Sequence, residues 1–187
     1  MAQYNGYVDI PHSSYDEWRN ATIGNGYNAD YNPPYQSWGN QCWDYCAEYW
    51  HQYGLYLRTK PQGNGGAADC WTVSRAYNAQ YPFIAVEGKE NIKRGDVIVW
   101  NRSSGSSTGH IAFADENYNG TNRIYTLGQV PSLHGQNGVV SRDELSLNSF
   151  LGIFRNVLWQ TDPPSPSKPK KKSDFPFVIA KHYWWNH

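Results

Sequence analysis

The sequence predicts an α+β domain in which N-terminal helices pack on a central antiparallel β-sheet. Two observations favour this class: a continuous helical pattern over residues 41–53, and a run of β-type segments from Lys93 onward. Helices followed by a series of strands are typical of α+β domains. With 187 residues, the chain has the length of one ordinary globular domain with a tail.

The helix over 41–53 is predicted from a stretch without Pro or Gly that Gly54 ends. Residues 1–39 are rich in Asn, Tyr, Gly and Pro without a sustained period, so we expect loops and short turns there. A second short helix is predicted within 67–80. The glycine-rich segment before it is interpreted as a structural loop, because no strand precedes it and no Lys-Ser/Thr pair follows.

Alternating apolar segments bounded by turn residues predict the strands. They comprise residues 93–102, 110–116, 123–130 and 151–159. Asn119 and Gly120 favour a two-residue hairpin turn between the second and third of these. In that register, Gln129 lies opposite His110 and on the same face of the sheet.

The C-terminal residues change in composition after Trp159. Residues 160–174 are rich in Pro and Lys and predict an extended linker. Residues 175–187 are apolar and aromatic, and they are interpreted either as the start of a second, binding module or as a strand that docks on the main domain. Residues 1–159 are therefore expected to form the main domain.

Composition excludes several classes of function. The formal net charge is zero, which argues against a nucleic-acid partner. No run approaches the roughly 20 apolar residues that cross a bilayer, and the N-terminus lacks the pattern of an export signal. The chain has 9 Trp, 15 Tyr and 6 Phe, which favour either an aromatic core or an aromatic groove for an extended polar ligand.

Cys42 has the features of a nucleophile because it lies at the start of the predicted helix. Unpaired N–H groups and the helix dipole favour a thiolate there, and a nearby protonated histidine would depress the pKa into roughly the 3.5 to 7.5 range. The backbone N–H of Cys42 and the Gln41 side-chain amide are candidates for an oxyanion hole. The alternative is a small buried hydrophobic residue. Cys46 and Cys70 are interpreted as core residues, and at least one thiol is expected to be free.

His110 is the candidate base because it opens a strand after a flexible Ser/Gly segment. Ala112 and Ala114 share its face, which would leave room for the Cys42 helix to pack there. Gln129 is the candidate that orients the imidazole. The alternatives for His110 are a metal ligand and a core histidine, although no Cys/His/Asp pair has zinc-like spacing. The Cys42–His110 pair predicts a hydrolase that cleaves amide bonds.

These residues resemble the CHAP family of cysteine amidohydrolases and peptidases. The resemblance rests on four segments taken in order: Gln41-Cys42-Trp43-Asp44, Gly95-Asp96-Val97-Ile98-Val99-Trp100, Gly109-His110-Ile111-Ala112 and Leu127-Gly128-Gln129, with a closing Phe154-Arg155 strand. It implies a compact papain-like fold and hydrolysis of bacterial peptidoglycan at an amide or peptide bond. Cys42 matches the nucleophile of the family and His110 its base.

The resemblance also implies a phage endolysin that stays in the host cytoplasm until a holin releases it to the wall. Residues 175–187 would then begin a module that binds wall polymers. Two competing functions are a related enzyme acting elsewhere, such as a tail-associated wall hydrolase or a small-molecule amidase, and a non-catalytic wall-binding module with an aromatic surface.

The sequence departs from many relatives in the third-strand motif. Those relatives carry an acidic residue and an asparagine where this chain has Gly128 and Val130, so only Gln129 remains, with Asn137 in reserve. Some relatives bind calcium through acidic residues before the cysteine. Here only Asp44 is present nearby, and neither a metal nor another cofactor is expected.

Overall fold

The computed structural model describes residues 11–29, 39–60, 65–103, 106–130 and 138–159. The predicted linker at 160–174, the segment 175–187 and the reserve candidate Asn137 lie outside these residues.

Four helices precede the sheet: α1 Tyr15–Thr22, α2 Cys42–His51, α3 Asp69–Thr72 and α4 Arg75–Asn78. The predicted helix over 41–53 is confirmed as α2, whereas the second predicted helix is two single turns. The prediction of loops throughout residues 1–39 is wrong, because α1 forms there. Ser14 caps its N-terminus by accepting from the Glu17 N–H, and Trp18 is buried at 1% exposure.

Six strands form one antiparallel sheet: β1 Phe83–Val86, β2 Val97–Trp100, β3 His110–Ala114, β4 Arg123–Gly128, β5 Ser141–Ser146 and β6 Phe150–Asn156. Their order across the sheet is β1-β6-β2-β3-β4-β5. The four predicted strands correspond to β2, β3, β4 and β6. The sequence did not predict β1 and β5. The α+β class, with helices against an antiparallel sheet, is confirmed.

Aromatic side chains fill the layer between the helices and the sheet. The Trp18 ring stacks on Tyr45 with centroids 5.3 Å apart, and Trp50 stacks on Phe83 at 4.1 Å. These four rings are all buried. Large rings bury much apolar surface per residue, so much of the aromatic excess is used for the core.

The other face of the sheet has its own apolar cluster, whose buried members are Ile92, Ile98, Trp100, Ala112, Ala114, Ile124, Leu147 and Ile153. A buried ion pair ties β6 to the start of β2: the Arg155 guanidinium donates to both carboxylate oxygens of Asp96 at 2.8 Å. In the described part of the chain, no helix is long and apolar enough to span a membrane.

Candidate active site

Cys42 lies in the first turn of α2, and the start of this helix is held firmly. The Asp44 carboxylate accepts hydrogen bonds from the backbone N–H groups of Gln41 at 2.7 Å and Ala29 at 3.0 Å. Gln41 and Asp44 form a capping box, which satisfies N–H groups that a helix N-terminus otherwise leaves unpaired. The Cys42 side chain is half-buried.

The backbone N–H of Ile111 is directed toward the gap between β3 and β4. Along β3 these groups alternate: Ala114 donates toward β2, and Asp115 donates to β4. Ile111, four residues before Asp115, therefore points its N–H to the β4 side. The Ile111 N–H lowers the pKa of Cys42, so this group lies near the sulfur. Because Ile111 follows His110, the thiol lies at the end of β3 where the histidine begins the strand.

The face of β3 on which α2 packs differs from the prediction. The Tyr45 and Tyr49 rings of α2 pack on Phe113 at 5.2 and 5.0 Å, so the helix covers the Phe113 face of β3. The prediction that α2 packs over Ala112 and Ala114 is wrong. Large rings bury far more apolar surface than methyl groups, and the alanines instead join the cluster on the opposite face.

His110 extends toward the face of the sheet opposite α2. It pairs with Trp100 in the β2–β3 register, and the two ring centroids are 5.4 Å apart. Burial lowers the pKa of His110 to about 4, and the charge of Asp143 acts in the opposite direction. None of the described residues forms a hydrogen bond with the buried Nε2 atom of His110.

Burial also dominates the electrostatics of the thiol. It raises the pKa of Cys42 to about 11, although the Ile111 N–H favours the thiolate; the Asp44 carboxylate raises the pKa further. The expected depression of the Cys42 pKa is therefore wrong for the free protein. The expectation assumed a protonated histidine, whereas the buried His110 is neutral at neutral pH.

Gln129 does not lie opposite His110, so the predicted pairing of these two residues is wrong. β3 and β4 pair Phe113 with Leu127, and continuing this register places Gln129 opposite Ile111. A shift of one residue turns a side chain to the other face of a sheet.

The Gln129 side chain is buried and bonded to backbone groups on the helix side. Its Oε1 accepts from Tyr27 N at 2.6 Å, and its Nε2 donates to Tyr27 O at 3.0 Å and Gln41 O at 2.8 Å. Both amide hydrogens are therefore used. Gln129 fixes Gln41, the residue that precedes Cys42.

A model of the CHAP domain family matches residues 28–129, which are 102 of the 187 residues. The chain belongs to the CHAP domain family. The match includes Gln41, Cys42, His110 and Gln129. A search of curated proteins gave no match.

A solved structure shares the fold of this CHAP chain. The endolysin LysIME-EF1 superposes with a TM-score of 0.56 at 20% identity, over 77% of this chain and 64% of that protein. Ly7917 gives a TM-score of 0.47 at 14% identity, over 74% of this chain and 60% of that protein. The chain thus spans less than two thirds of the length of these structures.

Sequence reasoning missed part of the site's surroundings in this CHAP domain. Ser141 and Asp143 lie on β5, and the field of Asp143 reaches His110. The segment SRDELS, residues 141–146, contains a single apolar residue, so the pattern of apolar residues gives little indication of a strand there. In the part of the chain that the structure describes, no three His, Cys, Asp or Glu side chains are grouped as metal ligands would be.

Proposed function

We propose that the chain is a peptidoglycan hydrolase that cleaves an amide or peptide bond of the Gram-positive cell wall, with Cys42 as nucleophile and His110 as general base. The observation that carries the proposal is the thiol at the start of α2, near the N–H of Ile111, which directly follows His110. Acyl transfer requires a nucleophile and a base within reach of each other, so the proposal requires the His110 imidazole to reach Cys42 around the end of β3. Membership of the CHAP family supports peptidoglycan as the substrate.

The first half of the reaction forms an acyl-enzyme. Neutral His110 takes the proton of the Cys42 thiol as the sulfur attacks the carbonyl carbon. The carbonyl π electrons move to oxygen, where the Cys42 N–H and the Gln41 side-chain amide are the candidate donors. The intermediate then collapses to a thioester, and the amine leaves with the proton that His110 returns.

The second half restores the enzyme. A water molecule loses a proton to His110 and attacks the thioester carbonyl. The C–S bond breaks, the carboxylic acid is released, and Cys42 regains its proton from the imidazolium. No cofactor takes part in this sequence.

We assign the enzyme to the endolysin type, held in the host cytoplasm and released to the wall at lysis. The similarity of the fold to the endolysin LysIME-EF1 supports this assignment. Residues 160–174 would link the catalytic domain, residues 1–159, to the beginning of a wall-binding module at 175–187.

The decisive test is Cys42→Ala in a turbidity assay on a Gram-positive cell suspension. We expect clearing to be abolished while circular dichroism and the melting temperature stay near the wild-type values. Cys46→Ala is the matched control, because Cys46 lies one turn later on α2 and is fully buried. It should lose some stability and keep activity.

Undiminished clearing by Cys42→Ala would refute the proposal. Wild-type protein that sediments with purified walls without reducing turbidity would instead indicate a non-catalytic wall-binding module. Mass spectrometry of the released fragments identifies the bond: a new N-terminal glycine or alanine marks an endopeptidase, and a free lactyl group on the glycan marks an amidase.

A further inference from the structure

The β5 strand places a carboxylate on the face of the sheet that carries His110. Ala114 pairs with Thr126, and Thr126 pairs with Asp143. Directly opposed residues share a face, and every second residue of a strand returns to it. His110, four residues before Ala114, therefore lies on the same face as Asp143.

The strand β4 lies between β3 and β5, and it leaves the surface between His110 and Asp143 uncovered. Continuing the β3–β4 register places Val130 opposite His110, and Gly128, which pairs with Ser141 and has no side chain, on the diagonal from His110 to Asp143. On β3, the neighbouring position has only the methyl group of Ala112. An added Cβ at Gly128 would lie 3.0 Å from the Ala112 Cβ, so the two backbones are close there. Neither Gly128 nor Ala112 has a side chain large enough to separate the His110 imidazole from Asp143.

The Asp143 carboxylate is held in place by its neighbours. The Ser141 hydroxyl donates to its Oδ2 at 2.6 Å, and the Thr126 hydroxyl donates to the Asp143 backbone carbonyl at 3.0 Å. A fixed carboxylate in a partly buried place acts on its surroundings more strongly than a mobile exposed one. The charge of Asp143 raises the pKa of His110 against the effect of burial.

We propose that Asp143 is the acidic positioning residue of the Cys42–His110 pair, acting from β5 across the bare surface at Gly128. It stabilises the imidazolium that forms when His110 takes the Cys42 proton. The buried Nε2 of His110, which no described residue meets, is the atom that bears the second N–H in that imidazolium. The inference rests on the proposed function for its catalytic meaning, but the electrostatic coupling can be measured without substrate.

The first experiment measures the pKa of His110 by NMR titration in the Cys42→Ala background. Asp143→Asn should lower this pKa, because the imidazolium loses a favourable charge. Glu144→Gln is the matched control: Glu144 is the next residue of β5, is exposed and pairs with Arg123. It should leave the pKa of His110 unchanged.

The second experiment measures catalysis and thiol reactivity in the chain that retains Cys42. Asp143→Asn should lower kcat/KM for wall fragments by about 10- to 100-fold, mainly through kcat, because remote charge stabilisation is weaker than that of a directly bonded acid. Alkylation by iodoacetamide at neutral pH should also slow, since the imidazolium that forms as the thiol attacks the reagent is less stabilised. Glu144→Gln should match the wild type in both assays.

The outcomes separate this inference from the proposed function. An unchanged His110 pKa and an unchanged alkylation rate in folded Asp143→Asn would overturn the role of Asp143, whatever the enzyme hydrolyses. A lowered pKa in a protein without wall-degrading activity would leave the coupling intact and refute the function. If Asp143→Asn does not fold, Asp143→Ser removes the charge while retaining a polar group for Ser141, and the same measurements apply.

Discussion

The free protein holds Cys42 and His110 as a neutral thiol and a neutral imidazole. Burial moves the pKa of the thiol to about 11 and that of the imidazole to about 4, so neither group is charged at neutral pH. A preformed thiolate–imidazolium pair would need these values in the opposite order. In the proposed mechanism the proton is therefore transferred during the attack, with His110 as a general base.

This order of pKa values predicts a broad pH profile. The kcat/KM for wall fragments should rise with pH along a limb near pH 4, where His110 loses its proton, and then stay level through the neutral range. No second limb is expected until the alkaline range in which Cys42 ionises. A bell-shaped profile with a limb near neutral pH would contradict the neutral pair.

Folding must be followed in the same pH series. The pKa of His110 is lower in the folded protein than its ordinary value of 6.5, so the unfolded chain binds the proton more readily. This contribution to stability is present above pH 6.5 and is lost as the pH falls toward 4. Circular dichroism at each pH separates loss of the base from loss of the fold.

The start of a helix at Cys42 and of a strand at His110 could be predicted from the sequence, whereas the electrostatic state of the two side chains could not. A cysteine at a helix start and a histidine at a strand start are local patterns. The depth at which Tyr45 and Tyr49 seat α2 on the sheet depends on the whole packing, and this burial reverses the expected pKa of Cys42. Asp143 was missed for a similar reason, because its strand is visible only once β4 pairs with it.

At the scale of elements, the N-terminus of α2 is coupled to the end of β4. The side chain of Gln129 bridges the two by bonding to the backbone of Tyr27 and Gln41. Three buried backbone groups depend on this single amide. The position of Cys42 relative to β3 therefore depends on a residue that does not contact the thiol.

Gln129→Leu is expected to lower the free energy of unfolding by about 2–4 kcal/mol, because Leu removes the three hydrogen bonds that the amide makes to the backbone of Tyr27 and Gln41. Activity should fall further than stability alone explains, as small displacements of a nucleophile are costly. Urea denaturation and wall-fragment assays measure the two effects. Gln80→Ala, at an exposed position, is the control and should change neither.

The same variant distinguishes the two roles assigned to Gln129. An amide that oriented the imidazole would shift the pKa of His110 when lost, and NMR titration would detect the shift. The hydrogen bonds of Gln129 predict no such shift in the folded variant. A clear shift would restore the orienting role that the sequence predicted.

The register of the hairpin explains why that role was predicted. Asn119 and Gly120 lie in the loop between β3 and β4, which runs from Asp115 to Asn122 and is longer than two residues. Within this connection the Glu116 carboxylate accepts from the Tyr125 N–H at 3.1 Å. A side-chain contact of this kind cannot be predicted from the pattern of apolar residues in the sequence.

At the scale of the molecule, residue 159 ends the part of the chain that builds the described core. The Trp159 ring lies 4.5 Å from that of Tyr49, and its Nε1 donates to His12 O at 2.9 Å. The indole therefore joins the end of the last strand to the residues before α1. This contact includes Trp159 in the domain, for which 159 remains the predicted boundary.

Truncation after Trp159 should preserve the melting temperature within a few degrees, because every described contact of the core is retained. Truncation after Asn156 removes the indole and should lower the free energy of unfolding by about 3 kcal/mol or more, the usual effect of losing a large aromatic from a core. Thermal and urea denaturation of the two proteins test this. Equal stabilities would place the boundary elsewhere.

Because two of the three cysteines are buried, the number of reactive thiols per chain indicates whether the protein is folded. Cys46 and Cys70 are fully buried and Cys42 is partly exposed, so a thiol-specific dye should react with one equivalent per folded chain and three per unfolded chain. The stoichiometry reports the fraction of intact molecules in any preparation. A fluorescent reagent could also be attached at the reactive cysteine alone, without removing the others.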